Sequence, residues 1–153
     1  MSDSKPFMLD SPAAAWPITF DDVLAGRERL AKYLTPTAAR GYPLLDAHLG
    51  GGTSLIIKHE NHQPICTFKI RNGLSFVTGL SDAERKRGIV AASTGNHGQG
   101  VAWASKLLGV SATICVPSGN NPEKSAAMRS WGAKVVEEGR DYDEAVEVMM
   151  RIA

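Results

Sequence analysis

Residues 88–109 read GIVAASTGNHGQGVAWASKLLG, and this stretch decides the fold. Residues 88–92 (GIVAA) have the composition of a buried strand, and the polar turn 93–100 (STGNHGQG) follows. Val101, Ala104 and Leu108 then fall on one stripe of a helix. The alternation repeats downstream. Residues 111–116 (SATICV) make a second strand, 117–121 a turn, and Pro122 suits the first position of a helix that Asn121 caps and Gly132 stops. Residues 134–136 make a third strand, and Asp141 with Glu144 forms a capping-box-like start for a last helix. Three strand and helix units at this spacing predict a parallel sheet with right-handed crossovers.

Upstream, Thr19 caps a helix expected to run to about Leu34, with Ile18 and Val23 at hydrophobic-staple positions and Asp21 and Asp22 at its positive end. Residues 34–43 hold two prolines and a glycine and are expected to be irregular. Residues 54–58 (SLIIK) follow three glycines and read as a short strand, and 67–79 read as a helix beginning near Phe68. Residues 1–17 are polar and interrupted by proline, a flexible tail rather than a signal peptide. The last helix places Ala145, Val148, Met149 and Ile152 in phase up to Ala153, with no glycine or polar stop, so the sequence reads as cut rather than finished.

The 153 residues carry 17 Lys plus Arg against 16 Asp plus Glu, a formal net charge of +1, which offers no electrostatic case for nucleic acid or an anionic membrane. Hydrophobic residues at 43% and charged residues at 22% are those of a soluble globular domain, not of a disordered or membrane chain. No run approaches the ~20 apolar residues that span a bilayer. Cys66 and Cys115 form neither a CxxC pair nor a Cys/His cluster, so neither a disulfide framework nor a zinc site is readable, and a reducing cytoplasm is the expected location.

Two places can carry chemistry. Lys69 lies between Phe68 and Ile70 at a helix start; apolar surroundings favour the neutral amine that Schiff-base chemistry with an aldehyde requires. Composition alone favours the plainer alternative, a surface lysine whose stem runs along apolar neighbours. The turn 93–100 opens a helix at the carboxyl end of a strand, where open parallel sheets bind ligands, and its free amides, two hydroxyls and an amide side chain suit a carboxylate or phosphate. It is neither a GxGxxG fingerprint, since Trp103 stands at the third glycine position, nor a P-loop. A plain glycine-rich connection is the alternative. His59, Glu60 and His62 lack the HExxH spacing and read as a turn pair, so no metal is expected.

Residues 34–37 (LTPT), 58–73 (KHENHQPICTFKIRNG), 88–109 and 112–117 (ATICVP) together resemble the pyridoxal-phosphate fold type II family, most closely threonine/serine dehydratases (threonine ammonia-lyases) and serine racemase. The resemblance runs in consistent order from about residue 19 to the end. It implies an α/β fold: residues 18–87 as the N-terminal segment of a larger cofactor-binding domain, incomplete in this chain, and 88–153 as a parallel-sheet αβα small domain. It further implies that Lys69 forms the internal aldimine with pyridoxal 5'-phosphate, that Phe68 packs near the cofactor and that Asn96 bonds its phenolic oxygen. Ser93, Thr94, Gly95 and His97 would hold the substrate carboxylate. Lys69, freed by the substrate amine, would take the α-proton; loss of the β-hydroxyl and hydrolysis would give a 2-oxo acid and ammonia from L-threonine or L-serine.

The chain departs from the family pattern. Members commonly read Thr-Gly-Ser-Phe-Lys, whereas Ile65, Cys66 and Thr67 precede Phe68 here, and Asn72 stands where glycine is usual. Ile65 and Asn72 are expected to add bulk near the cofactor. The family's phosphate-binding glycine loop and its pyridine-nitrogen ligand have no counterpart in these residues, so weak cofactor binding and little turnover are expected of the isolated chain. A homo-oligomer is expected at full length. Two other readings stand beside the dehydratase: a racemase, with Thr94 or Ser93 as the second proton donor, and a non-catalytic pairing module that uses Val148, Met149 and Ile152 as a partner surface.

Overall fold

A computed structural model describes residues 18–153; the tail expected over 1–17 lies outside the described residues. Helix α1, Phe20–Leu30, starts at a complete capping box, with the Thr19 hydroxyl accepting from the Asp22 amide and the Asp22 carboxylate accepting from the Thr19 amide. The staple does not close: Ile18 and Val23 are 65% and 56% exposed. The helix also stops earlier than expected, because the approach to Pro36 disfavours helical backbone and the chain leaves through a turn at Leu34.

Residues expected to be irregular contain β1, Ala39–Gly41, and lead into α2, Pro43–Leu49. Proline opens α2 and Gly50, at φ 66°, ends it. Strand β2, Ile56–Lys58, returns antiparallel to β1 with Arg40 opposite Ile57. A 3-10 turn at Glu60–His62 leads to α3, Lys69–Gly79. Helix α4, Asp82–Arg87, not foreseen from the sequence, is set by a second capping box between Ser81 and Glu84.

The expected alternation follows as β3 Ile89–Ala92, α5 Asn96–Leu108, β4 Ala112–Val116, α6 Pro122–Ser130, β5 Lys134–Glu137 and α7 Tyr142–Ile152. The three strands form one parallel sheet in the order β3-β4-β5, Ala91 beside Ile114 and Ile114 beside Val135. Ala112, Ile114 and Val116 point into the core shared with α5 and α6, while α7 packs on β3 and β4 from the other face and covers Cys115. The chain is therefore the α/β protein with a parallel sheet that its alternation predicts. Asn121 caps α6, and Asp141 caps α7 by accepting from the Glu144 amide. Glu144 closes onto the Arg140 amide, one residue before the cap. Along α7, Ala145 and Val148 are buried and Ile152 is exposed.

Helices α3 and α5 approach each other with almost no space between their backbones. A Cβ added at Gly73 would stand 2.3 Å from the Gly100 carbonyl oxygen, and one added at Gly100 would stand 2.5 Å from the Lys69 carbonyl oxygen. The two helices cross backbone against backbone. This crossing brings the start of α3 to the start of α5.

Candidate active site

Lys69 is the first residue of α3 and Phe68 occupies the cap position without a side-chain cap bond. The segment before it is drawn into the protein by Ile65 and Ile70, both in the core. Ile65 is 7% exposed and places its bulk in the core. Cys66 sits at φ 55°, a left-handed conformation that a side chain resists, and is exposed. Its amide donates to the Gln63 carbonyl at 2.7 Å, closing the turn that reverses the chain ahead of Lys69.

The Lys69 side chain is half-buried, its Nζ 5.4 Å from the centre of the Phe68 ring, which is itself 58% exposed. Among the described residues no carboxylate lies within ion-pair distance of this ammonium. The Thr67 hydroxyl joins the two halves of the site: it accepts from the Asn96 side-chain amide at 3.4 Å and faces the Lys69 amide at 3.5 Å.

On the α5 side, Ser93 is buried at the end of β3. Its hydroxyl oxygen accepts from the amides of Gly98 at 2.8 Å and Gly95 at 3.3 Å, and so folds the turn. Thr94 and Asn96 are exposed, Gly95 and His97 half-buried. The amides of Thr94, Asn96 and His97 donate to no acceptor among the described residues, as expected at the open end of a helix. Burial, and then the Lys69 ammonium, push the His97 imidazole below its ordinary value, which favours its neutral form. Close packing fixes this end of α5, since a Cβ at Gly98 would meet Met128 at 2.9 Å.

All the residues singled out in the sequence, Phe68, Lys69, Ser93, Thr94, Gly95, Asn96 and His97, thus lie on two abutting helix starts. A cleft of about 380 Å³ reaches this group at His97 alone, lined also by Asn72, Phe76 and residues of β3, with Tyr142 and Met149 of α7 on its far side. Asn72 lies on this cleft beside His97. A separate cavity of about 730 Å³ between α1 and α3 touches none of the seven.

Two contributors escaped the sequence. Lys124, in the first turn of α6, brings its Nζ to 3.2 Å from where a Gly95 side chain would begin, adding a positive charge beside the free amides. Glu60 grips Arg71 through both oxygens, at 2.8 and 2.9 Å, and accepts the Thr37 hydroxyl at 2.5 Å. The Arg71 guanidinium holds the Glu60 carboxyl down at about 2. A signal for the first is Asn121-Pro122, which starts α6 and points its first turn at the sheet's carboxyl edge. The second has none, since the partners are brought together only by the 3-10 turn. His59 meets the Tyr42 hydroxyl and stacks on His62 with ring centres 5.3 Å apart. The described residues contain no group of three metal-ligating side chains.

A primary amine without a carboxylate partner among the described residues thus stands next to an exposed aromatic face and a helix start with free amides, a donor set whose chemistry suits a carbonyl-bearing anion. Residues 30–153 match the family of pyridoxal-phosphate dependent enzymes, and the chain belongs to that family. It is 40% identical over 135 residues to an L-threonine ammonia-lyase of Thermotoga maritima, covering 88% of this chain and 33% of that protein. Among solved structures it is similar to maize serine racemase, with TM-score 0.84 and 27% identity over 90% of this chain and 41% of that one. A threonine deaminase from T.th. matches with TM-score 0.78 and 36% identity, over 88% and 42% of the two chains. The chain spans about a third to two fifths of the length of these relatives. Among the described residues no helix is long and apolar enough to cross a membrane.

Proposed function

We propose that this chain supplies the N-terminal catalytic elements of an ammonia-lyase that converts a β-hydroxy amino acid, L-threonine or L-serine, to a 2-oxo acid and ammonia. The observation that carries the reading is the backbone crossing of α3 on α5, which brings the helix start that bears Lys69, an amine with no ion-pair partner among the described residues, to the helix start with free amides. Residues 18–87 then belong to the large cofactor-binding domain and 88–153 to the small one. The working protein is a cytoplasmic homo-oligomer acting on a small amino acid, with no nucleic-acid or membrane partner.

The residues present fit pyridoxal phosphate: Lys69 would hold its aldehyde carbon, the exposed Phe68 ring would offer it an aromatic face, and the Asn96 amide keeps a donor that would serve its phenolic oxygen. When bound, the cofactor supplies an electron sink for the substrate α-carbon. The free amides of Thr94, Asn96 and His97 take the substrate carboxylate, with the Thr94 hydroxyl and the Gly95 backbone. Ser93 shapes that receptor by holding Gly95 and Gly98. A neutral His97 adds no second charge near Lys69. The Lys69 Nζ, when free, would be the base that takes the α-proton. Departure of the β-hydroxyl as water and hydrolysis of the resulting imine release the 2-oxo acid and ammonia.

The fold likeness to serine racemase and the exposed Thr94 hydroxyl favour one second reading, in which Thr94 returns a proton to the opposite face of the α-carbon. Borohydride reduction of the protein with pyridoxal phosphate should fix the cofactor to Lys69, as read by peptide mass. Equal labelling in Lys69→Ala overturns the assignment, and a full-length protein that takes no label supports a non-catalytic pairing module. In full-length protein, 2-oxo acid release from L-threonine or L-serine should outrun inversion; the reverse ranking makes the racemase the main activity.

A further inference from the structure

Helix α3 carries the Lys69 amine on its first residue, and locally only the Thr67 hydroxyl, 3.5 Å from the Lys69 amide, meets its start. Phe68 provides no side-chain cap, and the first turn holds the cations Lys69 and Arg71 with no acid, the unfavourable arrangement at a positive helix end. Something outside the helix must hold it. Arg71, two residues beyond Lys69, donates from Nε and Nη2 to the two oxygens of Glu60, and Glu60 also accepts the Thr37 hydroxyl. Lys58 lies 3.7 Å from Glu60 and donates to the Thr37 carbonyl at 3.0 Å. The Glu60 side chain is 16% exposed, so the pair is largely withdrawn from water. A forked guanidinium bound at two points resists rotation of the helix that carries it, which a single contact does not.

We propose that Glu60 is a positioning residue: by clamping Arg71 and Thr37 it sets the rotation of α3 that holds Lys69 beside His97 and the 93–98 turn. The inference extends the assignment of Lys69 to the acid that presents it. Glu60 touches neither substrate nor cofactor and acts only through Arg71.

Two readouts separate this role from bulk stability. His97 senses the Lys69 charge, so its titration, followed by NMR, reports where that amine sits without any cofactor. In Glu60→Gln the clamp loosens, the first turn of α3 shifts within what the Gly73 and Gly100 crossing allows, Lys69 recedes and the His97 value should rise toward that in Lys69→Met. Direct loss of a negative charge would shift His97 the opposite way, so the sign decides the cause. Borohydride fixation of pyridoxal phosphate to Lys69 should slow at least tenfold in Glu60→Gln and recover in part in Glu60→Asp. An unchanged or lowered His97 value with wild-type labelling in a folded Glu60→Gln overturns the clamp. If that variant does not fold, the double exchange Glu60→Arg with Arg71→Glu decides: return of the His97 titration supports the clamp, and failure overturns it. A wild-type protein that takes no label at Lys69, while His97 still responds to Glu60, sinks the lyase reading and leaves the clamp standing.

Discussion

At His97 two unlike causes act in the same direction, the loss of water around the ring and the ammonium of Lys69, the first being the larger. A histidine whose folded value lies below its ordinary 6.5 binds protons more readily when unfolded, so the folded state loses stability as pH falls through that value and holds it fully above. Urea unfolding should therefore show stability falling from pH 7 toward pH 5, and His97→Gln should flatten that part of the profile. An unchanged slope in the variant would show that His97 contributes nothing to it. From the residues alone the 93–100 turn was legible as an anion receptor because it is one local motif, whereas Phe68, Lys69 and Asn96 took their roles from the family resemblance. Glu60 and Lys124 were not legible, because their partners are distant in sequence or presented by another element.

Helix α5 owes its start to a residue three positions before it. With Gly95 at the cap position and no side-chain cap there, the buried Ser93 hydroxyl supplies the acceptor. Ser93→Ala strands the Gly95 and Gly98 amides and should cost about 1–2 kcal/mol in chemical denaturation. Thr94→Ala, at an exposed side chain with no hydrogen bond among the described residues, should stay within about 0.5 kcal/mol while lowering substrate turnover in full-length protein. Parity of the two variants in stability would show that the turn does not depend on Ser93. The strands and helices of residues 88–153 were readable because each carries its own start and stop signals within a few residues. The hairpin of β1 and β2 was half-read, since its strands are three residues long and mostly exposed, with little apolar alternation to announce them. Helix α4 was missed although Ser81 and Glu84 spell a capping box, because its six residues, DAERKR, have no apolar face.

Across the whole molecule, the hairpin and α1–α4 meet the parallel-sheet layer chiefly where α3 crosses α5. Gly100→Ala would drive a methyl to 2.5 Å from the Lys69 carbonyl and Gly73→Ala would meet Gly100 at 2.3 Å, so each should destabilise by about 1–3 kcal/mol or more and slow cofactor fixation at Lys69. Gly79→Ala, with open space around it on the same helix, should stay within about 0.5 kcal/mol. If Gly100→Ala melts like wild type, the crossing has slack enough to admit a methyl group. No sequence period announces such a contact, because glycine is silent in hydrophobic patterns. Its consequence reaches beyond stability. The spacing between the amine-bearing helix and the carboxylate turn is set by peptide bonds, which have no rotamers, so the surrounding apolar side chains can drift among isosteres over many generations without retuning the site, whereas neither glycine can.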